Sequence, residues 1–89
     1  MLEKDLTIVN RRGLHARASA KLVKLVETFD AHVEVSKDGQ TVGGTSIMGL
    51  MMLAASTGCS IKVEADGNDA ETAMLAITEL VENGFGETD

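Results

Sequence analysis

Leu6 and Ile8 bracket Thr7, and this alternation of apolar and polar residues predicts a short, half-buried strand. Asn10 to Leu14 follows as a loop around Gly13. From Ala16 the period lengthens. Leu22, Leu25, Val26 and Phe29 stand at i, i+3, i+4 and i+7, with Lys21, Lys24 and Thr28 on the other side, which predicts an amphipathic helix. Val33 and Val35 begin a second strand, Asp38-Gly39 marks a hairpin turn, and Thr41 and Val42 return until Gly43-Gly44 interrupts them. A second helix, capped by Thr45 or Ser46, carries Ile47, Leu50, Met51 and Ala54. Ile61, Val63 and Ala65 form the fourth strand, ended by Asp66-Gly67-Asn68. Asn68 or Asp69 caps a third helix, with Ala73, Ile77, Leu80 and Val81 inward and Gly84 as its stop.

The predicted order is β-α-β-β-α-β-α, an α+β chain forming a single domain over residues 1–89. The polar alternates Thr7, Glu34, Lys62 and Glu64 suit an antiparallel sheet with helices on one face and water on the other. The chain has no linker, internal repeat or proline. Hydrophobic residues make up 44% of it, yet only Phe29 and Phe85 are aromatic. An aliphatic core of this size leaves little room for a deep pocket, which weighs against an enzyme with an enclosed active site.

The formal net charge of −6 argues against general attraction to nucleic acid or anionic lipid, and two aromatic residues make no stacking platform for bases. The charge is unevenly spread. Arg11, Arg12, Arg17, Lys21 and Lys24 are five of the eight basic residues, and no acid lies between Arg11 and Val26. A basic segment in an acidic chain reads as a local contact for phosphate or for an acidic partner. No stretch approaches the roughly 18 consecutive apolar residues of a membrane span, and no signal-peptide segment opens the chain. A cytoplasmic protein with no membrane insertion is expected. Cys59, the single cysteine, is expected as a packed thiol, and His32 as an ordinary surface residue. The acidic group Asp66, Asn68, Asp69 and Glu71 lacks the ligand order of a calcium loop, so no metal or cofactor is implied.

Gly13-Leu14-His15-Ala16-Arg17-Ala18-Ser19 carries the chemistry. His15 falls where the first helix begins, beside unpaired backbone N–H groups and the positive end of the helix dipole. A ring there tends towards its neutral, nucleophilic form, and a phosphoryl group attached to it gains donors. Arg17 is permanently charged and can pair two phosphate oxygens at once. Gly13 permits close backbone approach. No base is expected beside His15, since the neighbouring sequence supplies none.

Gly13-Leu14-His15-Ala16-Arg17 resembles the active-site motif of the HPr family, the histidine-containing phosphocarriers of the bacterial phosphoenolpyruvate:phosphotransferase system. Ser46-Ile47-Met48-Gly49-Leu50-Met51 is similar to the family's second motif, around its regulatory serine. The likeness extends over essentially the whole chain in length, element order and spacing. It implies an open-faced β-sandwich, a four-stranded antiparallel sheet covered on one face by three helices. It also implies that enzyme I phosphorylates His15 at Nδ1, that Arg17 steadies the phosphoryl group, and that an enzyme IIA protein accepts it. The resemblance makes Ser46 a site for an HPr kinase/phosphorylase. Ala18 stands where the family usually has proline, and Arg12 where sugar-transport members often have a small polar residue. Arg12 tilts the reading towards the nitrogen-related, regulatory branch.

Ile47 to Ala55 is apolar almost all the way round, more than a short helix over one sheet can bury. Ile47, Met48 and Met51, with Met52, are therefore expected to form an exposed docking patch, and Lys24 and Arg12 to add basic contacts to it. A monomer forming brief complexes is expected. The alternative is a regulatory adaptor of the same fold that acts by phosphorylation-dependent binding.

Overall fold

The computed structural model describes residues 1–87, so the last two positions of the expected 1–89 domain lie outside the described residues. Strands β1 (Leu2–Thr7), β2 (His32–Lys37), β3 (Gln40–Gly43) and β4 (Ser60–Asp66) alternate with helices α1 (Ala16–Glu27), α2 (Ile47–Met52) and α3 (Ala70–Glu82) in the predicted order. The strands form one sheet in the order β1-β4-β2-β3, antiparallel at every junction. Its two central strands are thus β4 and β2, distant in sequence.

Register settles which face is dry. Leu6 lies opposite Ile61, Val33 opposite Ala65, and Val35 opposite both Val63 and Val42. Leu6, Ile61, Val63, Ala65, Val33 and Val35 are all buried beneath the helices. From α1 come Ala18, Leu22, Val23 and Val26, from α2 Leu50, and from α3 Ala73, Met74, Ile77 and Val81. Val23 was not on the expected inner face, whereas Phe29, which was, is only half-buried at the helix end. The predicted hairpin turn is present: Asp38 (φ 51°) and Gly39 (φ 83°) are both left-handed, the two-residue turn whose twist matches its strands.

Helix α2 stops after Met52, two residues short of the expected Ala54. Ala54 instead adopts a left-handed conformation (φ 53°), which turns the chain so that the Ala55 carbonyl meets the Leu14 N–H at 2.9 Å. Ser46 is the cap of α2, its hydroxyl accepting from the Gly49 N–H at 3.0 Å. Asp69 precedes α3 but its carboxylate accepts from the Asp30 N–H at 2.7 Å, tying α3 to the α1–β2 connection in place of capping its own helix. Beyond α3, Gly84 (φ 63°) ends the helix as expected. The chain then turns through Gly84–Gly86 with all three residues left-handed (φ 63°, 57° and 73°), which places Phe85 in the core at zero exposure. Among the described residues no helix is long and apolar enough to cross a membrane.

The opposite face of the sheet carries an acidic row. Glu3, Glu64 and Glu34 lie directly across from one another on β1, β4 and β2. Like charges at paired positions destabilise a sheet by a few tenths of a kcal/mol each. Glu64→Gln removes both pairings at once. It should raise stability by about 0.5 kcal/mol at low salt, an increment that shrinks as salt is added in urea unfolding.

Candidate functional site

Three segments meet at the head of α1. The first is the loop from Asn10 to Leu14, held by the Gly13 N–H donating to Asn10 O at 3.2 Å and by Leu14 N–H donating to Ala55 O at 2.9 Å. Gly13 is required here twice over. Its φ is +64°, and a Cβ at this position would lie 2.2 Å from the Ala55 carbonyl oxygen. The second segment is the start of α1 itself, and the third is the chain after α3.

His15 is the residue at the cap position of α1, extended at φ −77° and ψ −179°. Its Nδ1 accepts from the Arg17 backbone N–H at 3.3 Å. Its Nε2 meets the Glu87 carboxylate through Oε2. These neighbours decide the protonation of the ring. The group facing Nδ1 is a donor, so Nδ1 carries no proton; the group facing Nε2 is a carboxylate, so Nε2 donates. The ring is therefore the Nε2–H tautomer, with the Nδ1 lone pair directed at the helix head.

Glu87 overturns the expectation that no base stands beside His15. It is 72 residues away in sequence and arrives through the turn after α3. Two contacts fasten that turn: the burial of Phe85, and a 2.7 Å hydrogen bond from Lys21 Nζ to the Phe85 carbonyl. Asn10 completes the arrangement. Its Nδ2 donates both to Gly13 O at 2.9 Å and to Glu87 Oε1 at 3.1 Å. Both partners are acceptors, which fixes the amide orientation. Hydrogen bonds from His15 and then Asn10, with the Arg12 charge nearby, hold the Glu87 carboxyl below its ordinary value.

The remaining expected site residues are spread more widely. Arg17 is exposed on the first turn of α1, and among the described residues its guanidinium makes no ion pair. Arg12 is exposed on the loop before His15, and Lys24 is exposed in the last turn of α1. On α2, which packs against α1 and β3, Met48 and Met52 are about 70% exposed and Ile47 and Met51 about 40%. Only Leu50 of that helix is buried. Ser46 is exposed at its cap. Cys59 is half-buried, less packed than expected, and a 3.4 Å hydrogen bond with Ser56 holds its thiol below the ordinary value.

The sequence pattern missed Glu87, Asn10 and Lys21 because each acts through a long-range contact or a loop geometry. Phe85 was the available signal. One of only two aromatic residues, set between glycines beyond a helix stop, it has nowhere apolar to go except back into the core.

Comparison with known proteins gives this arrangement its class. The fold is that of the small phosphocarriers: the crystal structure of HPr-C-His from Thermoanaerobacter tengcongensis superposes with a TM-score of 0.94 at 40% identity, over 100% of both chains. The model of the PTS-HPr family, described as the PTS HPr component phosphorylation site, matches residues 2–83. Phosphocarrier protein HPr of Cupriavidus necator is 51% identical over 87 residues, 98% of each chain. Phosphocarrier protein NPr of Shewanella violacea is 40% identical over 86 residues, 97% of this chain and 94% of its own. The chain belongs to the HPr family, the phosphocarriers of the phosphotransferase system. Membership implies partners within that system, such as an enzyme I and an enzyme IIA.

The lowered Glu87 value sets an acid dependence. A carboxyl whose folded value lies below its unfolded one adds stability while it is ionised, and that contribution is lost as pH falls through the lowered folded value. Wild type and Glu87→Gln should therefore differ in urea stability near neutrality, wild type being the more stable. The gap should narrow as pH is taken down from about 6 to about 3, across the carboxyl range.

Proposed function

We propose that His15 is the residue that carries the phosphoryl group, through Nδ1. The observation supporting this is the direction of its two ring nitrogens: Nε2 faces Glu87, and Nδ1 faces the N–H groups at the head of α1. In transfer, the Nδ1 lone pair forms the bond to phosphorus as the donor's bond to phosphorus breaks, its electron pair returning to the donor atom. The Arg17 N–H that Nδ1 now accepts is then free for a phosphoryl oxygen, with the neighbouring N–H groups and the helix dipole adding to it. Arg17's exposed guanidinium pairs further oxygens of the dianion. The reverse sequence delivers the group to an acceptor.

The donor in this reading is enzyme I, charged by phosphoenolpyruvate, and the acceptor an enzyme IIA protein. Both dock on the exposed Ile47, Met48 and Met51 patch, with Arg12 and Lys24 contributing charge. Methionines suit successive partners because their side chains repack at little cost. The carrier works as a cytoplasmic monomer. Ser46 is the regulatory position. A phosphate on its hydroxyl would sit at the start of α2, adding about two negative charges at the border of that patch. An HPr kinase/phosphorylase is the corresponding modifying enzyme. Arg12 is the residue that favours the nitrogen-related, regulatory branch in this reading.

Incubation with enzyme I and labelled phosphoenolpyruvate, followed by a chase with enzyme IIA, tests the assignment. Acid-labile label on His15 that moves to enzyme IIA is the expected result. Stable label confined to Ser46, with His15 unlabelled, would instead identify a regulatory adaptor. His15→Ala should abolish transfer while the domain stays folded, losing the α1 cap, about 1 kcal/mol, together with the hydrogen bond to Glu87. Arg17→Ala should slow transfer roughly tenfold with docking affinity retained.

A further inference from the structure

Few polar side chains lie in the core, and one of them has no place in the transfer as written above. Ser19 sits on the inner face of α1 at zero exposure, so its hydroxyl has no water to turn to. A serine inside a helix commonly bonds back to the carbonyl four residues earlier. Here the hydroxyl reaches one residue further, past His15, and donates to the Leu14 carbonyl at 3.3 Å. The Ser19 backbone N–H meanwhile donates to the His15 carbonyl at 2.9 Å. One residue therefore holds two consecutive carbonyls, and they belong to the rigid peptide planes on either side of the His15 Cα.

We infer that Ser19 is a positioning residue for phosphoryl transfer, aiming the imidazole by its hold on those two planes; this rests on His15 Nδ1 being the acceptor atom. The plane after His15 is secured by an ordinary helical bond, which any residue at position 19 supplies. The plane before it lies outside the helix, where no such bond reaches. It follows Gly13, whose backbone is the most permissive available. On its N–H edge that plane has only the tight three-residue turn from His15 N–H to Gly13 O, 2.9 Å. The Ser19 hydroxyl holds the carbonyl edge. No proline stiffens this first turn, since residue 18 is alanine. With both planes fixed, His15 keeps φ −77° and ψ −179°, its Cα–Cβ bond has one direction, and Nδ1 meets the Arg17 N–H. Release of the Leu14 carbonyl lets the ring rock away from the helix head. Leu14 itself stays seated, because its side chain is buried and its N–H remains on Ala55 O.

The test separates aim from stability in the full-length chain. Ser19→Ala removes the hydroxyl, keeps the backbone N–H and places a better helix former in α1. Transfer from phosphorylated enzyme I should fall roughly tenfold in kcat. KM should change little, because residue 19 is buried and the exposed α2 patch is untouched. The Arg17 amide proton, which reports the bond to Nδ1, should move upfield. Ser19→Thr restores the hydroxyl but forces a methyl into a site with no free surface. It should unfold at lower urea than wild type and yet transfer faster than the Ala variant. A residue that served packing alone would have its rate follow its stability. A wild-type kcat in Ser19→Ala, or a slowed transfer with the Arg17 amide unmoved, would overturn the inference. A wild-type chain that takes no label on His15 would instead overturn the assignment on which it rests.

Discussion

A sheet with one apolar face cannot stand alone in water, and every other feature of this chain is arranged around that constraint. Strict alternation in β4 and β2 puts Ile61, Val63, Ala65, Val33 and Val35 on a single side. Three helices must then be gathered onto that side, since the opposite face carries Glu3, Glu64 and Glu34 in a row and cannot be buried. With α1 packed against both α2 and α3, the start of α1 has the turn from Ala54 to Ala55 on one side and the turn after α3 on the other. The head of a helix is a place where backbone donors lack partners. The layering therefore delivers the histidine, the loop bearing Gly13 and a carboxylate to one location, with Leu14 of that loop seated in the core.

The fold was largely legible because its signals are local. Period-two alternation, the Asp38-Gly39 turn, Ser46 before an apolar helix and Gly84 after one are each contained within a few residues, and each was found where the pattern put it. The failures have a common physical cause. Composition alone continues α2 to Ala54, but packing requires the chain to turn so that Ala55 can meet Leu14 and Gly13. Asp69 looks like a cap in sequence, yet its carboxylate accepts from the Asp30 N–H and leaves its own helix uncapped.

The same division runs through the site. His15 and Arg17 are two residues apart and sit together on the first turn, so their spacing suffices to find them. Glu87 and Asn10 are separated by 77 residues and are brought together by the packing of the sheet and α3. No periodicity carries that information. The methionine patch is an intermediate case. Its exposure follows from counting apolar residues against the area a six-residue helix can bury, while its division into Met48 and Met52 outward and Leu50 inward needed the helix to be seated.

The turn after α3 has a practical consequence for anyone handling this protein. Because Phe85 is locked inside and Glu87 abuts the imidazole, any group attached at Glu87 would stand beside the His15 ring. An affinity handle, fluorophore or fusion partner there would crowd the head of α1 even with the fold undisturbed. The start of β1 is the better point of attachment. It stands at the opposite end of a six-residue strand, about 17 Å from where that strand hands over to the loop before His15.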